Sequence, residues 1–199
     1  IFIPRDNAPQ STIYFGLPVV DPSNPDYIGL ELMNTLLGGS FASRITSNIR
    51  ENKGYTYSPR SMVSTRINSA LWYETADVTA ESTAAALQEI MNEITRLQNE
   101  APSDDELEGI KSYMSGIYVL QNSTRTAIIN QLWFLESHGL PLSRLETYVQ
   151  KVNSVSPEQI SALAKKYLSL ENMTLVVVGD AASVKPQLAA NKQISSLYQ

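Results

Sequence analysis

Two side chains suited to holding a polar reacting group, Arg50 and Tyr57, stand seven positions apart across a helix end in the stretch Leu36 to Ser58, LLGGSFASRITSNIRENKGYTYS. A guanidinium presents a rigid fork of donors, and a phenol donates one hydrogen bond without bearing charge itself. Such a pair would matter to a reaction without being its nucleophile or its base. Other chemistry-bearing residue types are scarce. The chain has one histidine, His138, and no cysteine, which removes disulfides and thiol catalysis. Zinc needs three or four well-placed N, S or O donors, and a single histidine with scattered carboxylates is poor material for it.

The bland readings stand beside these. An arginine near a helix end and a tyrosine opening a strand are commonplace, and the Arg-x6-Tyr spacing alone has almost no specificity. Tyr55 competes with Tyr57 and shares its strand face if the strand already runs there. His138, in FLESHGL, most simply meets the carbonyl end of its own helix. Asp104, Asp105, Glu106 and Glu108 crowd a helix start instead of following calcium-loop spacing, so a solvated helix N-terminus is expected. Gly38-Gly39-Ser40 lacks the strand-GxxxxGK[ST]-helix context of a phosphate loop and reads as a helix-to-helix turn. Trp72 and Trp133 read as core or half-buried packing residues.

The elements that must position Arg50 and Tyr57 are legible in the hydrophobic pattern. Ile13, Phe15 and Leu17 alternate with Thr12, Tyr14 and Gly16 as in a half-buried strand, which Pro18 and DPSNPD are expected to end. Leu30, Met33, Leu36 and Leu37 share a helical face that stops at Gly38-Gly39. A short helix is predicted from an Ser43 N-cap to Gly54, with Ile45 and Ile49 on one face. Two strand-like runs, 57–65 and 70–79, join at Ile67-Asn68-Ser69 as a hairpin.

Helices follow. Leu87, Ile90, Met91, Ile94 and Leu97 form one apolar stripe. Ser103 caps a second helix, a third runs from about Ser123 to His138, and a short one spans Leu142 to Lys151. Ser156 with Pro157 opens another. Leu175 to Val178 reads as a central strand buried on both faces. The fold class is α+β, a mostly antiparallel sheet packed on a layer of helices.

A length of 199 residues with 43% hydrophobic content suits one sizeable domain. A formal charge of −5 disfavours nucleic acid or an anionic membrane as the main partner. No apolar run is long enough to span a bilayer. The opening IFIPRDNAPQ, without an initiator methionine, suggests a domain boundary within a longer protein.

The segments LLGGSFASR and NIRENKGYTYS, then a hairpin, two long helices, a SPEQI helix and a TLVVVGD strand, resemble the carboxy-terminal half of the insulinase-type, or M16, zinc metallopeptidases. The resemblance covers essentially the whole chain and is nearest the bacterial, processing-peptidase-like branch. It implies a single carboxy-terminal domain over 1–199, part of a longer two-domain protein. In that family the zinc is held by a His-x-x-Glu-His helix in the amino-terminal half; this sequence has no such motif.

The resemblance therefore implies no cofactor here and zinc in the missing amino-terminal domain or a partner chain. It implies that Arg50 and Tyr57 face the zinc across a closed chamber, contacting the substrate main chain and steadying the transition state; the family's Arg-x6-Tyr spacing favours Tyr57, with Tyr55 as a substrate-binding wall residue beside it. The expected partners are that amino-terminal domain, a peptide substrate and a dimer mate. The domain alone is expected to be inactive, and family habit suggests a periplasmic or secreted location. The alternative implied is a domain of a non-catalytic partner or scaffold subunit of the same family.

Overall fold

The computed structural model describes residues 1–196. Five strands form one sheet in the order β1-β5-β2-β4-β3: β1 Phe2–Pro4, β2 Gln10–Val19, β3 Arg60–Arg66, β4 Ser69–Thr79 and β5 Thr174–Gly179. Only β1 and β5 pair in parallel; the other ladders are antiparallel. The α+β expectation with a mostly antiparallel sheet is met. Alternation decides which face is covered. Ile13, Phe15 and Leu17 of β2, Trp72, Ala76 and Val78 of β4, and Leu175 and Val177 of β5 are all buried. Ile3, Tyr14 and Leu71, on the other face, are exposed.

Helix α1, Tyr27–Asn34, and α2, Thr83–Asn99, pack against the buried face, and α6, Pro157–Tyr167, packs on both. The predicted α2 stripe is wholly buried, and burying each such Leu or Ile contributes about 1.5–3 kcal/mol. Ser156 and Gln159 form a capping box at the start of α6, with Pro157 in its first turn. Helix α3, Asp104–Gln121, begins at Ser103, whose hydroxyl accepts from the Glu106 N–H. Helices α4, Arg125–Ser137, and α5, Ser143–Ser154, extend the layer, and α7, Ala181–Ala190, with α8, Lys192–Ser195, completes it. No helix among the described residues is long and apolar enough to cross a membrane.

Four local expectations need correction. Pro18 does not end β2: the strand runs to Val19, because β5 stops pairing at Gly16 and a proline is tolerated where the strand has become an edge. Strand β3 starts at Arg60, so Tyr55 and Tyr57 precede it. In β5, Leu175 and Val177 are buried while Val176 and Val178 are only half-buried, since they face the open side of the sheet. Trp133 is 72% exposed, because α4 turns Ile128, Ile129, Leu132 and Trp133 outward and buries only Leu135.

Candidate functional site

The backbone that carries Arg50 is unusual in a way its sequence does not announce. Helix α1 passes into a π-helical turn, Thr35–Gly39, and a second π-helical segment, Thr46–Asn52, follows the Ser40–Ser43 turn. Tertiary packing sets the first. A side chain on Gly38 would place its Cβ 2.6 Å from Ser61 Oγ and 2.7 Å from a Glu74 carboxyl oxygen, and one on Gly39 would lie 2.6 Å from Asn34 Nδ2. The two glycines thus let the chain lie directly on the sheet.

The second segment is held from three sides. Ile45 and Ile49 are fully buried. Asn48 Nδ2 donates to Glu89 at 3.0 Å and to Glu93 at 2.8 Å on α2. Arg44 makes a two-pronged ion pair with Glu106 on α3, both contacts 2.7 Å. Glu106 therefore belongs to a packed ion pair, not to a solvated helix start. The Arg44 guanidinium holds its carboxyl below the ordinary range, and Glu106 in turn raises Arg44. Ser43 Oγ donates to the Thr46 hydroxyl at 2.9 Å instead of accepting from a backbone N–H as an ordinary N-cap would.

Ile49 turns inward and Arg50 is half-buried beside it. The segment ends at Gly54, whose φ of +66° is the left-handed value glycine supplies after a helix, and the Tyr55 N–H closes the end on the Ile49 carbonyl at 2.9 Å. Tyr55 is half-buried against the core. Thr56 is pinned by its hydroxyl to the Asp77 carbonyl at 2.6 Å and bridges Val78 of β4. Tyr57 consequently projects outward, 81% exposed.

The structure brings Arg50 and Tyr57 together. Arg50 Cζ lies 4.8 Å from the centre of the Tyr57 ring and 4.4 Å from that of Phe41, a residue in the Ser40–Ser43 turn. Each such contact contributes about 0.5–1 kcal/mol at an exposed site. Arg50 Nε sits 3.2 Å from Glu51 Oε1. The terminal guanidinium nitrogens and the Tyr57 hydroxyl hydrogen-bond no other described residue, so these donors are unused within the fold. Sequence reasoning found Arg50 and Tyr57 but missed Phe41, Asn48, Thr56 and the Arg44–Glu106 pair; only the apolar exposure of Phe41 within a polar turn hinted at a contact.

No group of three or more His, Asp or Glu side chains is placed to hold a metal among the described residues. His138 caps α4, with Nδ1 2.8 Å from the Phe134 carbonyl oxygen. These residues do not fit a zinc site.

Two acids are perturbed away from this cluster. Glu74 on β4 is fully buried and neither carboxyl oxygen has a hydrogen-bond partner; burial pushes it well above the ordinary carboxylate range, against a smaller pull from the Arg60 N–H. Glu31 lines a cavity of about 330 Å³ with Tyr118, Arg144 and Tyr148. Burial raises it to about 7, partly offset by Arg144 and Tyr27.

Comparison with known proteins agrees with this architecture. The sequence matches the family described as Peptidase M16 inactive domain over residues 1–114. It is 26% identical over 174 residues to the "Non-peptidase homolog YmxG" of Helicobacter pylori, covering 86% of this chain and 40% of that protein. It is 24% identical over 185 residues to the "Uncharacterized zinc protease YmxG" of Bacillus subtilis, covering 90% of this chain and 44% of that one. The chain thus spans 40% and 44% of the length of these curated relatives. The crystal structure of a peptidase M16 inactive domain from Pseudomonas fluorescens superimposes with a TM-score of 0.85 at 25% identity, over 93% of this chain and 44% of that one. By sequence and by fold, the chain belongs to the M16 peptidase inactive-domain family.

Proposed function

We propose that this chain, over 1–199, is the metal-free half of a two-half, M16-type zinc peptidase, and that Arg50 and Tyr57 are what it contributes to substrate. The observation that carries the reading is the convergence of a half-buried Arg50 and an exposed Tyr57 into one cluster with unused donors. In this reading zinc resides in the amino-terminal half, in the same chain or a partner.

The terminal nitrogens of Arg50 then donate to main-chain carbonyls of a bound peptide, and the Tyr57 hydroxyl donates to the oxygen that gains charge at the scissile carbonyl. Donors aimed at developing charge stabilise the transition state more than the ground state. Tyr55 serves by tying the loop to the Ile49 carbonyl and the core. The outward Ile129, Leu132 and Trp133 of α4 and the open face of the sheet are the surfaces the amino-terminal half is proposed to cover. The whole protein would then hydrolyse short or unfolded peptides, and this chain alone would not.

The test is reconstitution. The chain alone should bind no stoichiometric zinc and turn over no peptide, whereas the complete two-half protein should do both and lose turnover with Arg50→Lys. Stoichiometric zinc with turnover in this chain alone contradicts the proposal. A second reading is favoured by the name of the Helicobacter relative, a non-peptidase homologue. Under it the complete protein is a partner or scaffold subunit, and an upstream half without His-x-x-Glu-His identifies that case.

A further inference from the structure

Arginine in a long, flexible stem is a poor preorganised donor unless something fixes the plane of its guanidinium. All of its N–H donors lie in that plane, so an aromatic ring set against the group can restrain it without consuming a donor. Two rings do so here. Tyr57 lies 4.8 Å and Phe41 4.4 Å from Arg50 Cζ, and Phe41 is the nearer of the two. Glu51 sits 3.2 Å from Nε, and no other described residue hydrogen-bonds the two terminal nitrogens.

Phe41 is 68% exposed. A single exposed phenylalanine is ordinary on a protein surface, and its exposure alone assigns it nothing. Its backbone, however, is fixed from both sides. Gly38 and Gly39, just before Ser40, lie against Ser61, Glu74 and Asn34 so closely that a Cβ on either would come within 2.6 Å of a neighbouring side chain. After it, the Ser43 N–H bonds the Ser40 carbonyl, Thr46 Oγ1 donates to that same carbonyl, and Arg44 is clamped to Glu106. The turn is therefore a rigid mount, and the ring it carries rests on Arg50.

We propose that Phe41 is a positioning residue for Arg50: with Tyr57 it holds the guanidinium so that the two terminal nitrogens form a fixed, outward two-donor fork for a peptide main-chain carbonyl. The proposal rests on the reading of Arg50 as a substrate-contacting group and adds what makes it competent before substrate arrives. Preorganisation of this kind removes the ordering cost from the binding step and from the transition state. An aliphatic side chain of similar size cannot replace the ring, because it lacks the negative face that attracts the cation.

Side-chain ¹⁵N relaxation at Arg50 Nε–Hε in the 199-residue chain tests the positioning directly. The order parameter should approach the rigid limit of about 0.85 in the unmodified protein and in Phe41→Tyr, and fall below about 0.6 in Phe41→Leu. Equal mobility in the unmodified chain and Phe41→Leu overturns the proposal. In the complete two-half protein, Phe41→Leu should lower kcat/KM about two- to fivefold at unchanged zinc content, with Phe41→Tyr retaining the original value. Equal losses in Leu and Tyr variants also overturn it. Failure of the underlying reading shows differently: Arg50→Lys would leave turnover unchanged even though Arg50 is rigid in the relaxation experiment.

Discussion

Arg50 and Tyr57, on opposite sides of a helix end, meet with the guanidinium carbon 4.8 Å from the tyrosine ring centre. Two anchors between and around them make that meeting possible. Gly54 reverses the chain at φ +66°, and the Thr56 hydroxyl fixes the next turn to Asp77. The cluster is thus positioned by the backbone.

The two π-helical segments depend on glycine in different ways. Gly38→Ala would force a Cβ to within 2.7 Å of both Ser61 and Glu74, and should cost about 1–3 kcal/mol as overpacking. Gly54→Ala meets no atom within 4 Å and should cost about 1–2 kcal/mol through left-handed backbone strain alone. Urea unfolding separates the cases: Gly54→Asn should recover part of its loss, since Asn tolerates that conformation, whereas no larger residue should rescue position 38.

Arg44 and Glu106 tie the site to α3. Replacing either with alanine should destabilise the protein by about 1–3 kcal/mol, because the survivor loses two charge-assisted hydrogen bonds and Arg44 is almost fully enclosed. A double-mutant cycle in denaturant should return a coupling energy of at least about 1 kcal/mol; strict additivity would show that the pair contributes nothing as a pair.

Stability should also fall as pH rises from mildly acidic to neutral and beyond. Glu31 and Glu74 both have folded-state affinities for protons above the unfolded value of 4.5. Their contribution is complete below 4.5 and is lost as pH rises above it, through about 7 for Glu31. Glu106, held low by Arg44, acts oppositely: its contribution is present above 4.5 and lost on acidification. Glu31→Gln should flatten the unfolding profile between 4.5 and about 7, and Glu74→Gln should likewise reduce the loss of stability as pH rises above 4.5, both read from urea midpoints across pH.

Much of this architecture is legible from local pattern. The period-2 run of Ile13, Phe15 and Leu17, the α2 stripe and the Ser156-Pro157 start report burial and capping, which neighbouring residues dictate. The parts that escape depend on residues far apart in sequence. The π-helical turn at Gly38 answers to Ser61 and Glu74, and the continuation of β2 through Pro18 to where β5 ends. Arg50 and Tyr57 could be named because they lie in the segment LLGGSFASR to NIRENKGYTYS, whose residues resemble the family's own. Phe41 could not, because its role is a contact made across a turn.

The central claim is that Tyr57 supplies a donor to the transition state formed in the complete protein. Its hydroxyl is exposed and bonds no other described residue, so Tyr57→Phe should leave stability within about 0.5 kcal/mol of the original. Steady-state peptide hydrolysis by the complete two-half protein is the most direct measurement. The account predicts that Tyr57→Phe lowers kcat about 10²–10³-fold with little change in KM, as loss of one oxyanion donor does elsewhere. An unchanged kcat in a variant that keeps its zinc would contradict it.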